Sequence, residues 1–414
     1  MTASSDGGMR SFLTQPKSVW AVAFAAVIAF MGIGLVDPIL PSIAADLHAT
    51  PTETEMLFTS YLAVTGVAMF FTSWLSSRIG AKRTLMFGLV LIVAFALFAA
   101  LSNNVEAVIG FRAGWGLGNA LFISTALATI VGAATGGSGA AIILYEAALG
   151  LGIAVGPLLG GLLGHISWRG PFFGTAALMA VGFIAIVTLL KTDSSANARV
   201  EPVALSAPFT ALRRPALGLL AVAALFYNMA FFVLLAYSPF PLGLPAMGLG
   251  LTFFGWGVGL AITSVFLAPL LTARMHRTTV LRWALALLTL TLIAAGLVIE
   301  SVPGLIACIV FGGLVLGVLN TVLTESVMEA TDLPRSVASS AYSGVRFVGG
   351  AIAPTAATML ADSFGAPVPY FAAAGAALIS FLVVLIGHRV LRRVNTSIES
   401  ELDEAAAIAA GDAS

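Results

Sequence analysis

From Pro215 to Ala273 the chain runs without a single Asp, Glu, Lys or Arg. Such a stretch cannot coat a water-soluble domain. It is long enough for two helical crossings of a bilayer, whose hydrocarbon core takes about 20 apolar residues per span. Pro239, Pro241, Gly243 and Pro245 supply the break between them. Shorter charge-free stretches at Val19–Val36, Met56–Ser77, Thr84–Val105, Ala147–Ser167, Gly170–Leu190, Trp283–Ile299, Ser301–Thr324 and Ser363–His388 each predict one further span. Ala113–Tyr145 holds most of another, with the Gly-rich turn Gly132–Gly139, and a last one runs from about Ser336 to Ala361 around Arg346. The total is twelve. Only 9% of the 414 residues are charged and 59% are hydrophobic, against about 25% charged in soluble domains. The predicted fold class is therefore an all-α integral membrane protein with no room for a separate globular domain.

Basic residues in the short loops set the orientation. Arg78, Lys82, Arg83, Lys191, Arg199, Arg213, Arg214, Arg274, Arg277, Arg282, Arg335, Arg389, Arg392 and Arg393 all fall on the side that also holds Arg10 and Lys17. That side is read as cytoplasmic, with both termini, in a bacterial-type inner membrane. The expected organisation is a tail at 1–17, a six-helix bundle at 18–190, a polar linker at 191–214, a second bundle at 215–390 and an acidic tail at 391–414. Nineteen basic residues balance nineteen acidic ones, which gives no ground for a nucleic-acid partner. A single cysteine, Cys308, excludes an intramolecular disulfide. The four histidines, His48, His165, His276 and His388, show no metal-binding spacing and no nucleophile constellation accompanies them. No metal, cofactor or enzymatic activity is expected.

The halves repeat each other. Tyr145, Gly152 and Pro157 of the fifth span match Tyr342, Gly349 and Pro354 of the eleventh at one offset, and Leu75-Ser-Ser-Arg78 matches Leu271-Thr-Ala-Arg274. Parallel six-span repeats of this kind are a transporter architecture, with the site near the midplane between the copies.

Four motifs make the chain resemble the major facilitator superfamily, and within it the twelve-span drug:proton antiporters. Arg78-Ile-Gly80-Ala-Lys82-Arg83 is similar to the loop between the second and third spans, the inner gate of that family. Ser73 and Ser77 stand where the family pattern has glycine and aspartate, and that aspartate helps latch the halves, so the latch departs from the pattern here. Gly152-Ile-Ala-Val-Gly156-Pro157-Leu-Leu-Gly160-Gly161 resembles the antiporter motif. Arg112, within Gly110–Gly118, resembles the intramembrane arginine linked to proton coupling, although a charge so near the outer surface could instead snorkel to the headgroups. Asp37-Pro38-Ile-Leu-Pro41 resembles the drug exporters' first-span motif.

The resemblance implies a major facilitator fold of two pseudo-symmetric bundles that exchanges a small, lipophilic substrate for protons, acting as a monomer among membrane lipids. Proton-coupling candidates are Asp37, Arg112, Glu146, Glu325 and Arg346. Tyr61, Phe122, Phe226, Tyr227, Phe231 and Trp256, with Asp37, are candidates for the substrate cavity. A narrow metabolite or sugar transporter, and a transporter-like sensor or scaffold without flux, remain open from the residues alone.

Overall fold

The computed structural model describes residues 15–36, 39–134, 137–190, 202–392 and 394. Among these, twelve helices are long and apolar enough to cross a membrane. They are α1 (Lys17–Gly34), α2 (Met56–Ile79), α3 (Ala81–Leu101), α4 (Val105–Ala133), α5 (Gly139–Gly164) and α6 (Gly170–Leu189). The second set is α7 (Pro215–Leu242), α8 (Met247–Thr272), α9 (Arg277–Leu297), α10 (Val302–Glu329), α11 (Arg335–Phe364) and α12 (Val368–Arg389). The described residues contain no strand.

Local chemistry sets where these helices begin and turn. Thr50 and Glu53 form a capping box ahead of α2, while the side chains of Asn104 and Ser301 cap α4 and α10, satisfying N–H groups that have no partner within the helix. Gly80 (φ +87°) makes the α2–α3 turn and Gly243 (φ +57°) the α7–α8 turn, backbone conformations that glycine adopts without a Cβ penalty. Two π-helical segments, Val233–Tyr237 and Thr263–Leu267, each end two residues before a proline, Pro239 and Pro269. Proline supplies no N–H to the α-helical ladder, so the backbone shifts to the wider repeat just ahead of it.

Packing reproduces the repeat helix for helix. In the first half α4 packs on α2 and α3, α1 on α5 and α6, and α3 on α6; in the second α10 packs on α8 and α9, α7 on α11 and α12, and α9 on α12. The halves meet along two seams, α2 against α11 and α5 against α8, which are the same pairing under the repeat. Large apolar side chains such as Trp283, Leu297, Met359 and Ile386 remain exposed around the perimeter, a surface suited to hydrocarbon and not to water. One end of the bundle carries the α2–α3 turn and the described part of the linker, with the short helix Ala207–Leu212; it is called the linker end below.

Candidate transport site

The glycine motif of α5 is a packing surface against its own half. A Cβ on Gly152 would press on Val27 of α1, one on Gly156 would lie 2.6 Å from the Met31 carbonyl oxygen, and one on Gly160 would press on Leu35. Pro157 lies inside the helix and contacts Gly34 from the same side, and Gly161 is buried. Glycine every fourth residue thus lets two backbones approach closely. The opposite face of α5 meets the other half: a Cβ on Gly257 of α8 would lie 2.5 Å from Ala154, and one on Gly150 would lie 2.8 Å from Leu260. Gly349 of α11 presses on Leu225 of α7 in the same manner as Gly152 on α1.

Arg112 is fully buried in α4, seven residues from its far end, about 10 Å of helix rise. Its guanidinium donates to the carbonyls of Leu57 (3.3 Å) and Gly32 (3.3 Å) and lies 4.3 Å from the Tyr61 ring centroid and 4.8 Å from that of Trp115. The charge is held by backbone carbonyls of α1 and α2 and by aromatic faces; it does not snorkel. Next to it the Asn119 amide donates to the Tyr61 hydroxyl.

A second buried cation sits in the other half. Arg346 donates to Asn320 (3.2 Å) and Asn228 (3.4 Å), the Asn228 amide donates back to the Arg346 carbonyl (2.7 Å), and the Tyr227 hydroxyl donates to Asn320 (2.5 Å). Eleven residues from the start of α11, Arg346 lies about 16 Å deep, near mid-membrane and well away from the linker-end surface. Glu146 closes this cluster from the first half. It is fully buried on α5, its Oε1 accepts from the Thr324 hydroxyl of α10 at 2.8 Å, and its charge acts on Arg346. Glu146 Oε2 has no hydrogen-bond partner among the described residues. The structure therefore places Glu146 within electrostatic range of Arg346 across the two halves and joins it to the second half directly through Thr324.

Other candidates fall elsewhere. Glu325 is paired with Arg277 (3.4 Å), which also holds Glu329 (3.4 Å) and the Val394 carbonyl (3.1 Å) at the linker end. Asp37 lies outside the described residues. Phe231 stacks edge-on against Trp256 at 5.1 Å between α7 and α8, the backbone of Phe122 faces Gly88 of α3, and Phe226 is half-buried. Of the inner-loop residues, Arg78 covers the Trp74 ring at 4.4 Å, the Lys82 ammonium donates to the Val187 and Leu190 carbonyls at the end of α6, and Arg83 is exposed. Ser77 accepts the Val203 N–H of the linker at 3.0 Å, and Phe209 of the linker helix stacks on Phe70 of α2 at 5.0 Å.

Sequence reasoning missed Asn119, Asn228, Asn320 and Thr324. A usable signal was present: Gly116-x-x-Asn119 and Gly317-x-x-Asn320 occupy matching places in α4 and α10. In the structure the Gly116 carbonyl accepts from Thr65 of α2 and the Gly317 carbonyl from Ser264 of α8, both at 3.1 Å.

The Major Facilitator Superfamily matches residues 22–274 and 241–409 of this chain. The chain belongs to that superfamily. Among its relatives, the "Multidrug efflux protein YfmO" of Bacillus subtilis (strain 168) is 53% identical over 377 residues, covering 91% of this chain and 94% of that protein. More distant are proteins named "Putative multidrug resistance protein MdtD" from Escherichia coli O81 (strain ED1a), 26% identical, and Klebsiella pneumoniae, 27% identical. Each matches over 185 residues, 44% of this chain and 39% of the relative. This major facilitator protein is accordingly a multi-pass membrane transporter of small molecules.

Proposed function

We propose that the protein is a proton-coupled antiporter that exports small lipophilic compounds across the bacterial cytoplasmic membrane by alternating access. The observation that carries this reading is Glu146: a buried carboxyl group on one half, hydrogen-bonded to Thr324 of the other and within electrostatic range of the Arg346 cation. A titratable group on the seam feels any separation of the halves, and exchange requires that proton and substrate bias one two-state equilibrium. The name of the Bacillus relative supports export of varied compounds. Asp37, by its motif, is the second proton carrier of this reading, and Arg112 keeps the interior of the first half electropositive near the far end. The drive is ample: about 2.3 kcal/mol per charge per 100 mV and about 1.4 kcal/mol per pH unit.

In this reading both termini and the linker lie in the cytoplasm, following the basic loops, and one chain suffices because it contains both halves. Hydrogen bonds between the halves are most numerous at the linker end, where Ser340 receives the Ser73 N–H (3.0 Å), the Ser339 hydroxyl donates to the Ser124 carbonyl (3.1 Å), and Arg335 donates to that of Val131 (2.7 Å), while Thr59 and Thr355 (2.8 Å) join the halves toward the far end. A cytoplasmic gate held shut in this way, with the halves also joined toward the far end, belongs to a stage of the cycle in which the path is closed to the cytoplasm.

Reconstitution tests the reading. Proteoliposomes with an imposed pH gradient should accumulate a lipophilic cation such as tetraphenylphosphonium, and Glu146→Gln should abolish accumulation while the protein stays folded. Undiminished pH-driven accumulation by Glu146→Gln would remove Glu146 from the mechanism, and the same outcome for Asp37→Asn would remove Asp37. Single cysteines at Ser195 and Ser397, with Cys308 replaced by Ser, should react only with reagents admitted to the cytoplasm.

A further inference from the structure

On the lipid-facing side of the second half lies a groove that no part of the transport reading uses. It encloses about 480 Å³ between α8, α9 and α10, and its walls include Leu267, Leu271, Trp283, Leu287, Phe311 and Leu314. The π segment of α8 contributes both Thr263 and Leu267 to it. Among the lining residues Thr263 alone carries a hydroxyl, and its proton is already donated to the Gly259 and Leu260 carbonyls at 3.0 and 3.2 Å. The wall therefore offers an apolar occupant nothing that would orient a functional group, unlike a site for drug-sized ligands, which places a few polar groups among apolar ones.

Length and charge narrow the occupant further. From Arg277 to the lining residue Leu287 the helix rises about 15 Å, the depth of a single leaflet of a bilayer core about 30 Å thick. Trp283 is 65% exposed on this wall, and amphipathic indole rings collect at the headgroup level. Arg274 and Arg282 adjoin the lining residues Met275 and Trp283 in the chain, whereas Arg277 is engaged by Glu325 and Glu329. Arg274 is exposed. Arg282 folds back on Thr278 and Thr279 of its own helix, on the flank of α9 turned away from the lining residues Val280, Trp283, Ala284 and Leu287, which leaves Arg274 as the cation beside the groove.

We propose that this groove binds one acyl chain of an anionic phospholipid from the linker-side leaflet, with the headgroup phosphate held by the exposed Arg274. The site is separate from the transport path, since its lining comes from α8, α9 and α10 on the perimeter, away from the Glu146–Arg346 cluster.

The full chain in phosphatidylcholine vesicles tests this through Trp283. Its emission is isolated as the difference between the parent protein and Trp283→Phe, and quenched with brominated phosphatidylglycerol or brominated phosphatidylcholine. The anionic lipid should half-quench at a mole fraction about fivefold or more below that of the zwitterionic one; Arg274→Gln should erase the difference, and Arg282→Gln should leave it in place. Equal quenching by the two lipids would mean ordinary exchange of boundary lipid and would overturn the proposal. A preference that survives Arg274→Gln would overturn it equally, as would relief of the quenching by tetraphenylphosphonium, which would make the groove a substrate site.

Discussion

Replacing Gly156 by alanine sets two opposing effects against each other, and the structure decides which prevails. In an isolated helix alanine is favoured over glycine by about 1 kcal/mol. Here the new methyl would lie 2.6 Å from the Met31 carbonyl oxygen and 3.3 Å from the Leu35 nitrogen of α1. Those two atoms are partners in α1's own ladder, at 3.0 Å, so neither can retreat without straining a backbone hydrogen bond. Overpacking of this sort costs about 1–3 kcal/mol, and a rigid backbone neighbour favours the upper end. The net expectation is destabilisation by about 2 kcal/mol once the helix-propensity gain is subtracted. Gly375 of α12 is the matched control, because a Cβ there meets nothing within 4 Å; Gly375→Ala should keep the gain and lose nothing. Thermal unfolding in detergent, followed by tryptophan emission at one scan rate, should rank Gly375→Ala at or above the parent and Gly156→Ala several degrees below it. If Gly156→Ala melts with or above the parent, the α1–α5 contact is not as tight as argued and the packing role of the motif fails.

Ser77→Ala removes the acceptor of the Val203 N–H and should cost about 1 kcal/mol, read as several-fold faster proteolysis of the linker; unchanged cleavage would show that the contact does not hold the linker. Asn320→Leu takes an acceptor from both Tyr227 and the buried Arg346, so about 3 kcal/mol or more of stability should go, seen as a lower melting temperature and poor recovery of monodisperse protein. A near-parental melt would contradict the need for that partner. At the far end the Thr50 N–H and hydroxyl, both 2.7 Å from Glu53, hold its carboxyl below the ordinary glutamate range. A depressed folded-state value means the cap is intact at neutral pH and is lost as pH falls through that lowered value. Protection of the Thr50 amide from hydrogen exchange should drop in that acidic range, and be absent at every pH in Glu53→Ala; protection that ignores both changes would refute the cap.

Much of the architecture was readable because its causes are local in sequence. Charge-free runs located most of the spans, although α4 and α11 continue through Arg112 and Arg346 and α5 begins ahead of Glu146; Gly80 marked a turn that suits glycine, and the match of Gly152 with Gly349 held because both press on an equivalent neighbouring helix. The polar interior was less readable. Arg112 was singled out, but its partners are carbonyls of Leu57 and Gly32, and every residue type carries a carbonyl. Ser77 read as a gap in a motif, whereas its hydroxyl takes a backbone N–H from the linker. Glu146 and Thr324 meet only because α5 and α10 come from different halves in a particular register. Helices apolar on all sides carry no periodicity that fixes such a register.

The two seams between the halves share a property with consequences for speed. Along α5–α8 the contacts involve Gly150, Gly250 and Gly257, and along α2–α11 they involve Gly66 and Gly344. At Gly66, Gly250 and Gly257 backbone lies close against backbone, so at these points one half can tilt on the other with few bulky side chains to displace, and the resistance comes instead from the Phe70 ring at Gly344 and from the hydrogen bonds between the halves. The seam behaves as a bearing with little friction, while the glycines facing α1 act as the key that fixes α5 to its own half. A methyl group on the seam would then work as a brake, slowing the exchange between conformations while leaving the affinity of each for its ligands intact.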